Sequence, residues 1–281
     1  MIAFSPGSIT LFFSIRDRHR DVIRKGSLGV GMVIDKGAIT KVEKSTQIEV
    51  IVNGRKMDNT IQEIMLRMTG IRARITTETH LPIAQGFGMS AAAAVSTSLS
   101  LFYGERSFYE CIYLAHRAEI EKGSGLGDVA SISRGGFTIR LREGIPPYGF
   151  IDKLMIERDE FVILWLDEPI ETKSVIREQE FRKRIIKAGD EAMEHFLRER
   201  TLRNAFRVAR RFSRQVSLAG PQLNEIMEKA LNFGEVSQIM IGNSLIAYGD
   251  NNSLEKLFEG YGNVMRIKIY DSGPGIIKEN I

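Results

Sequence analysis

The chain contains 281 residues, with 39 Lys or Arg against 35 Asp or Glu, so its net charge is only +4. Hydrophobic residues make up 43% of the sequence, which excludes general disorder, and the single cysteine, Cys111, excludes an internal disulfide and fits a cytoplasmic location. The near-neutral charge argues against nucleic-acid binding unless basic residues cluster, and the absence of a run of about 18 apolar residues argues against a membrane span.

The first half of the chain is predicted to be rich in strands. Asp58 is expected to cap a helix that ends at Gly70, and two more helices are predicted over about 89–103 and 107–121. A turn is expected at Lys36-Gly37, between two strands. The predicted strands, which are short runs of Ile, Val, Phe and Thr between Gly or charged residues, cover 9–14, 30–35, 38–43, 47–52 and 71–78.

A domain boundary is expected near Pro146-Pro147, which gives an N-terminal domain of residues 1–150 and a C-terminal domain of residues 151–281. The second half opens with the apolar strand FVILWL, continues with three or four helices between 173 and 231, and returns to strands. Strands interleaved with paired helices indicate an α+β fold. The tail over 272–281 is expected to fray.

Residues 82–94 (PIAQGFGMSAAAA) form the most informative segment of the sequence. Gly86 and Gly88 allow positive φ and a close approach of the backbone to a ligand. The helix that follows begins near Met89, and its free amides and positive dipole end favour a phosphate. The Ser90 hydroxyl is available to that phosphate or to Mg²⁺. A glycine turn that only packs a helix of small residues is the alternative.

Three motifs together resemble those of a known family. The loop is not a Walker A sequence, because no Gly-Lys-[Ser/Thr] follows, and it lacks the third Gly of a dinucleotide fingerprint. Its pattern Pro82-x-x-x-Gly86-x-Gly88-x-Ser90-Ala-Ala resembles the phosphate-binding signature of the GHMP kinases. The N-terminal and C-terminal motifs of that family are matched, in the right order, by residues 5–12 (SPGSITLF) and, in degenerate form, 237–244 (SQIMIGNS).

Four further segments resemble archaeal pantoate kinases: GSLGVG (26–31), AHRAE (115–119), GLGDVA (125–130) and MIGNS (240–244). The resemblance implies ATP-dependent phosphorylation of pantoate on its primary hydroxyl, on the route to coenzyme A. It implies an N-terminal domain like ribosomal protein S5 domain 2 and a ferredoxin-like C-terminal domain. It also implies that ATP is bound by Pro82, Gly86, Phe87, Gly88, Met89, Ser90, Ala91 and Ala92.

The resemblance also assigns the carboxylates. Asp128, on a Gly-flanked loop ahead of a short helix, is expected to accept or orient the proton of the substrate hydroxyl. An N-cap for residues 129–133 is the alternative for Asp128. Glu119 and Ser90 are expected to hold Mg²⁺. Glu121 is the nearest substitute, and a solvated helix carboxylate is the alternative for Glu119.

The substrate needs polar partners and a cation. Ser8, Thr10 and Ser27 lie near the N-terminus, where they can hydrogen-bond substrate or phosphate. Arg24 and Lys173 are the candidates for binding the pantoate carboxylate, and both are otherwise surface cations. His116 is expected to pack or cap, and Cys111 to be buried.

Six arginines recur at three- and four-residue steps and predict a basic stripe on one helix: Arg200, Arg203, Arg207, Arg210, Arg211 and Arg214. A solvated face is expected, and attraction of an anionic substrate or an acidic partner is the functional alternative. The expected partner is a small molecule rather than nucleic acid or membrane, and relatives suggest a homodimer. A homoserine or mevalonate type of kinase, a catalytically silent nucleotide sensor and a nucleic-acid-binding protein remain open.

Overall fold

The computed structural model describes residues 1–157, 160–167 and 178–277. These ranges contain twelve strands, eight α-helices and a short 3-10 turn at Val22–Arg24. The strands are β1 (Ile2–Arg16), β2 (Gly26–Lys44), β3 (Glu49–Val52), β4 (Arg55–Lys56), β5 (Ala73–Thr79), β6 (Phe137–Arg142), β7 (Phe150–Leu154), β8 (Glu160–Trp165), β9 (Gly234–Gln238), β10 (Ser244–Gly249), β11 (Asn263–Lys268) and β12 (Gly275–Ile277). The helices are α1 (Ile61–Thr69), α2 (Met89–Leu101), α3 (Phe108–Lys122), α4 (Asp128–Arg134), α5 (Gln179–Arg198), α6 (Leu202–Val216), α7 (Pro221–Ala230) and α8 (Asn251–Glu259).

The first sheet contains β1 to β7, from the N-terminal half, together with β12. Its strand order is β12-β1-β2-β5-β3-β4, and β6 pairs with β2 while β7 pairs with β6. Helix α2 packs against β1 and β2 and places its N-terminus at the end of the predicted phosphate loop. The sheet thus brings the N-terminal motif, in β1, against the loop that precedes α2.

The second sheet has the antiparallel order β11-β8-β10-β9, so its four strands lie in the order fourth, first, third, second along the chain. Alternate residues of β8 enter two different cores. Phe161 and Ile163 pack in the core shared with β1, α5 and α6, whereas Val162 and Leu164 pack against α7 and α8. Burial on both faces explains why β8 reads as a continuous apolar run. The arrangement confirms the α+β class and the ferredoxin-like C-terminal half.

The two halves share one core rather than meeting at a polar interface. Ile9 and Phe12 of β1 are fully buried in the same cluster as Phe161 of β8, Phe206 of α6 and Ile246 of β10. Strand β7 begins at residue 150 and β12 at residue 275, but both belong to the first sheet. The domain boundary at residue 150 stays a prediction, and the first sheet does not follow it.

Three local predictions were wrong. No turn interrupts β2 at Gly37. A Cβ at this position would collide with the Ser5 carbonyl oxygen on the paired strand, so the glycine allows close strand packing beside a register shift. The cap of α1 is Thr60, whose side chain accepts from the Glu63 amide at 3.1 Å, and not Asp58. The tail does not fray over its whole length, since β12 pairs with β1.

The basic stripe on α6 is balanced by carboxylates. Arg203 and Arg210 both pair with Glu235, at 3.2 and 2.6 Å, and Arg214 pairs with Glu228 at 2.6 Å. Arg207 pairs with Glu199, and Arg211 contacts His195. Arg200, which was predicted to lie on the same helix, precedes α6 and pairs with Asp152. The opposite side of α6, including Phe206 and Phe212, is fully buried. The stripe is therefore the charged face of an amphipathic helix whose arginines hold neighbouring elements together. No helix in the described ranges combines the length and apolar character that a membrane span requires.

Candidate active site

A cleft of about 340 Å³ opens beside the phosphate loop. One wall is the loop and the first turn of α2, and the other is the glycine-rich segment between α3 and α4. The floor is formed by β1, β2 and β6. Its lining contains predicted and unpredicted residues, including Thr10, Phe13, Ser27, Gly86, Gly88, Met89, Ser90, Ala91, Glu119, Lys122, Ser124, Asp128, Arg140, Met240 and Ile241.

The phosphate loop has an alternating backbone conformation. Ala84, Gly86 and Gly88 adopt positive φ values of 66°, 84° and 66°. Gly88 is the N-cap of α2 and accepts from the Ala92 amide at 2.9 Å. The three amides of the first turn, at residues 89–91, precede the first intrahelical donor, and their residues line the cleft. The loop therefore offers amide donors and a helix dipole to an anion, as predicted from its glycines.

Five of the eight predicted nucleotide-binding residues line the cleft, and three do not. Phe87 is buried against Trp165 in an edge-to-face contact, with ring centroids 5.8 Å apart. Ala92 is buried inside α2, and Pro82 is half-buried at the start of the loop. These three residues therefore support the loop or the start of α2 without lining the cleft.

The two predicted carboxylates face each other across Gly125. A Cβ placed on this glycine would lie 2.6 Å from Glu119 Oε1 and 3.2 Å from Asp128 Oδ2, so both oxygens lie against Gly125. Glu119 is 1% exposed, and burial together with the charge of Asp128 raises its pKa well above the ordinary value. Burial also raises the pKa of Asp128, against the opposing effects of Arg140 and Ser8. Both carboxyl groups therefore bind protons more readily than exposed ones.

The alternative roles of these carboxylates do not match the structure. The N-cap of α4 is Gly127, and Asp128 is the first residue of the helix without a capping hydrogen bond from its side chain. Glu119 is buried rather than solvated, whereas Glu121 on the same helix is exposed. The geometry thus brings Asp128 and Glu119 to the cleft and leaves Glu121 outside it.

Arg140, in the middle of β6, is a buried cation of the cleft that sequence reasoning missed. It is 2% exposed, its Nη1 donates to Ser131 Oγ at 2.8 Å, and its Nη2 lies 3.5 Å from Thr10 Oγ1. Burial lowers the pKa of Arg140, and the charges of Asp128 and Glu119 oppose that effect. An arginine between two apolar residues of a strand, Ile139 and Leu141, is the sequence signal that could have identified it.

Arg140 and Ser27 pack closely against Gly127 at the edge of the cleft. A Cβ on Gly127 would lie 2.5 Å from Ser27 Oγ and 2.8 Å from Arg140 Nε, so only a glycine fits between them. The buried Arg140 Nε has no hydrogen-bond partner among the described residues, which is costly. A guanidinium and a hydroxyl that line one side of a cleft suit an acceptor group such as a carboxylate.

The other predicted substrate residues are spread over several places. Thr10 lines the cleft, and Ser8 is fully buried with its hydroxyl near Asp128, whose pKa it lowers. Arg24 lies in a different cavity of about 320 Å³, where its guanidinium is 4.7 Å from the centre of the Tyr148 ring. Lys173 lies outside the described residues.

His116 packs and anchors, as expected. Its Nε2 is 3.2 and 3.1 Å from the carbonyl oxygens of Val22 and Lys25, and burial lowers its pKa, so the neutral ring donates from Nε2. These bonds tie α3 to the turn that leads into Ser27. Cys111 on the same helix is buried, and burial raises the pKa of its thiol.

Two more residues of the cleft were not predicted. Lys122, at the end of α3, lines the cleft and donates from Nζ to the Asn59 carbonyl oxygen. Ser124 also lines it, with a buried Oγ that has no partner in the described structure. Both lie in the Gly-rich segment after Glu119, whose glycines were the available signal.

The residues of the cleft fit a magnesium ion. Among the described residues, no three His, Cys, Asp or Glu side chains are grouped as metal ligands. Glu119 Oε1 and Asp128 Oδ2 nevertheless both lie against Gly125, and the buried Oε2 of Glu119 has no hydrogen bond in the described part of the chain and lies 3.9 Å from His116 Nδ1. Hard oxygen donors in small number suit Mg²⁺, which usually completes its shell with phosphates and water.

Comparisons with known proteins agree with this geometry. A family model described as "GHMP kinases N terminal domain" matches residues 55–136. Pantoate kinase of Thermococcus kodakarensis is 30% identical over 271 residues, which cover 90% of this chain and 89% of that protein. Pantoate kinase of Methanospirillum hungatei is 29% identical over 288 residues, which cover 98% and 96%. A solved structure described as "Phosphotransferase related to CoA biosynthesis pathway" superimposes with a TM-score of 0.87 at 26% identity, over the full length of both chains.

Proposed function

The chain belongs to the pantoate kinase family of the GHMP kinases, and on that premise we propose that it transfers the γ-phosphoryl group of ATP to the primary hydroxyl of pantoate. The product is 4-phosphopantoate, an intermediate of coenzyme A biosynthesis. One observation carries the proposal beyond family membership. A carboxylate pair and a separate pair of donors, Ser27 and Arg140, converge in the same cleft as the phosphate loop.

The donor pair supports binding of the substrate carboxylate. Arg140 and Ser27 line the same part of the cleft, where both pack against Gly127, and Arg140 donates to Ser131 Oγ. A substrate carboxylate bound on this side of the cleft would accept hydrogen bonds from the Arg140 guanidinium and the Ser27 hydroxyl. Arg140 thus takes the role that was expected of Arg24 or Lys173. The family's acid substrate fits this site better than an uncharged alcohol.

Asp128 supports the phosphoryl transfer itself. With the substrate carboxylate held by Arg140, the hydroxyl is directed towards Asp128, whose carboxylate orients it and receives its proton. The hydroxyl oxygen forms a bond to the γ-phosphorus as the bond to the bridging oxygen of ADP breaks. The amides of residues 88–91 hold the phosphate oxygens in place throughout.

Glu119 and Ser90 are the proposed ligands of Mg²⁺, with Asp128 beside them. When bound, Mg²⁺ neutralises phosphate charge and aligns the triphosphate. The fully buried Glu119 is fixed by the Val129 amide, which donates to its carboxylate. A cytoplasmic location and a homodimer stay predictions, and light scattering of the purified chain tests the latter.

A substrate panel tests the proposed function. The purified protein is incubated with ATP, Mg²⁺ and one alcohol at a time: pantoate, homoserine, mevalonate, pantothenate or glycerate. We expect ADP release with pantoate alone and a product phosphorylated on the primary hydroxyl. ADP release with another alcohol would support a kinase but exclude pantoate as its substrate. Nucleotide binding without any turnover would favour a catalytically silent nucleotide sensor.

Glu119→Gln is expected to raise the melting temperature of the nucleotide-free protein. Burial and Asp128 hold the pKa of Glu119 well above its ordinary value. The stability that the protonated carboxyl contributes is therefore lost as the pH rises through that raised pKa. We expect a gain of roughly 2–4 °C at about pH 8 that shrinks towards about pH 5, measured by thermal unfolding.

Glu121→Gln is the matched control, because Glu121 is exposed on the same helix. An equal gain in both variants, or a loss in Glu119→Gln, would contradict the assigned environment of Glu119. Loss of MgADP affinity in Glu119→Gln alone would support Glu119 as the metal ligand.

A further inference from the structure

Gln85 belongs to the phosphate loop by sequence, yet its side chain leaves the cleft. Its neighbours Ala84 and Gly86 line the cleft, whereas Gln85 is 2% exposed and points into the C-terminal half. There its Nε2 donates to the Leu166 carbonyl oxygen at 2.6 Å, and its Oε1 accepts from the Asn243 amide at 3.2 Å. The side chain thus joins the loop to the end of β8 and to the C-terminal motif.

The backbone of Gln85 makes the same connection. Ser244 Oγ donates to the Gln85 carbonyl oxygen at 2.7 Å. Gly242 packs so closely that a Cβ there would collide with this carbonyl group. Two hydrogen bonds and one close approach therefore hold residue 85 against residues 242–244, and a third hydrogen bond joins it to Leu166.

The loop needs such support, because its conformation is not one that its residues prefer. Ala84 has a φ of 66°, a region that an L-residue with a Cβ avoids. Unfavourable backbone conformations persist only where the surroundings impose them. The far end of the loop is held by the Ser8 amide, which donates to the Phe87 carbonyl oxygen at 3.0 Å. Gln85 supplies the corresponding anchor at the near end.

We propose that Gln85 is a positioning residue for the nucleotide, which holds the amides of the phosphate loop in the conformation that binds phosphate. The inference rests on the proposed function, since it concerns the same nucleotide site. Preorganised donors bind a phosphate without reorganisation, so a loosened loop loses nucleotide affinity. Because Gln85 touches neither Arg140 nor Ser27, binding of the second substrate is independent of it.

Gln85→Met tests the proposal, with Gln238→Met as the matched control. Methionine keeps the length of glutamine and removes both side-chain hydrogen bonds. Gln238 is also fully buried, and its side chain donates to the Gly242 carbonyl oxygen at 3.1 Å and accepts from Ser213 Oγ at 2.6 Å. It supports the same C-terminal motif without a hydrogen bond to the phosphate loop.

The readouts are MgADP binding by calorimetry, steady-state kinetics and thermal unfolding. In Gln85→Met we expect the Kd of MgADP and the KM of ATP to rise roughly tenfold, with the KM of pantoate unchanged. We expect Gln85→Met and Gln238→Met to lower Tm by similar amounts, because each loses two buried hydrogen bonds. The nucleotide affinity of Gln238→Met should stay within about twofold of the wild type. Ser244→Ala, which is less disruptive, is expected to weaken MgADP binding in the same direction by roughly threefold.

Equal nucleotide affinities in Gln85→Met and Gln238→Met would overturn the proposal, as would a parallel rise in the KM of both substrates. If Gln85→Met does not fold, Ser244→Ala becomes the deciding variant. Unchanged MgADP binding by Ser244→Ala would then overturn the proposal. A wild-type chain that binds MgADP but does not phosphorylate pantoate would contradict the proposed function alone, because the binding comparison needs no turnover.

Discussion

Asp128→Asn is expected to reduce kcat with pantoate roughly 100- to 10,000-fold, the range that removal of a general acid or base produces. The asparagine keeps the shape of the side chain at the start of α4 but can neither accept the substrate proton nor repel Glu119. Because burial raises the pKa of Asp128, removal of its charge should not unfold the protein. Steady-state kinetics with ATP and pantoate, together with thermal unfolding, measure both effects.

Asp152→Asn is a suitable control for Asp128→Asn. Asp152 is a half-buried carboxylate on β7, where it lies 3.8 Å from Arg200 and outside the cleft. We expect this variant to retain full activity. Asp128→Asn with wild-type turnover would exclude a catalytic role of the carboxylate, and unchanged MgADP binding beside lost turnover would separate the kinase from a nucleotide sensor.

Arg140→Met is expected to lower kcat/KM for pantoate by a factor that corresponds to about 2–5 kcal/mol, the cost of removing one member of a buried, hydrogen-bonded charge group. The variant removes the donor that faces Ser27 and leaves Glu119 and Asp128 without their cation. It therefore also destabilises the protein, and thermal unfolding at several pH values measures that loss. The pKa of both carboxyl groups should rise further, because Arg140 lowers them.

A neutral substrate analogue distinguishes recognition from structural support. Wild-type protein should prefer pantoate over its amide, and Arg140→Met should lose most of that preference. Arg142→Met, on the same strand but exposed beside Tyr148, is the control that should keep both activity and preference. Lower activity of Arg140→Met with an unchanged preference for the carboxylate would mean that Arg140 only neutralises Glu119 and Asp128.

The fold could be predicted from the sequence where local requirements dominate. The end of α1 at Gly70 and the helix before Gly123 follow from amphipathic spacing and from glycines that adopt positive φ. The α+β class and the GHMP kinase fold were also predicted correctly, the latter through motif resemblance. The turn expected at Gly37 was wrong because this glycine is required by a neighbouring strand, and a short window of sequence does not show that neighbour.

In the candidate site, too, residues in local motifs could be predicted and a residue buried by distant segments could not. Gly86, Gly88, Ser90, Glu119 and Asp128 were identified from motifs, and the structure brings them to one cleft. Arg140 was not identified as a residue of the cleft, and the predicted Arg24 lies in another cavity, because residue types alone do not show which arginine the fold buries. The roles of all these residues stay predictions until the variants are measured.

The place of the phosphate loop in the sequence could be predicted, because two glycines before a helix N-terminus form a local pattern. Its surroundings, and the contacts that hold Ala84 at positive φ, depend on distant segments of the chain. Arg140 meets Thr10 and Ser27 from strands more than a hundred residues apart, and Gln85 meets Asn243 from the other half of the chain. The environment of a buried polar side chain depends on which distant segments pack around it, and that packing sets its charge and its partners.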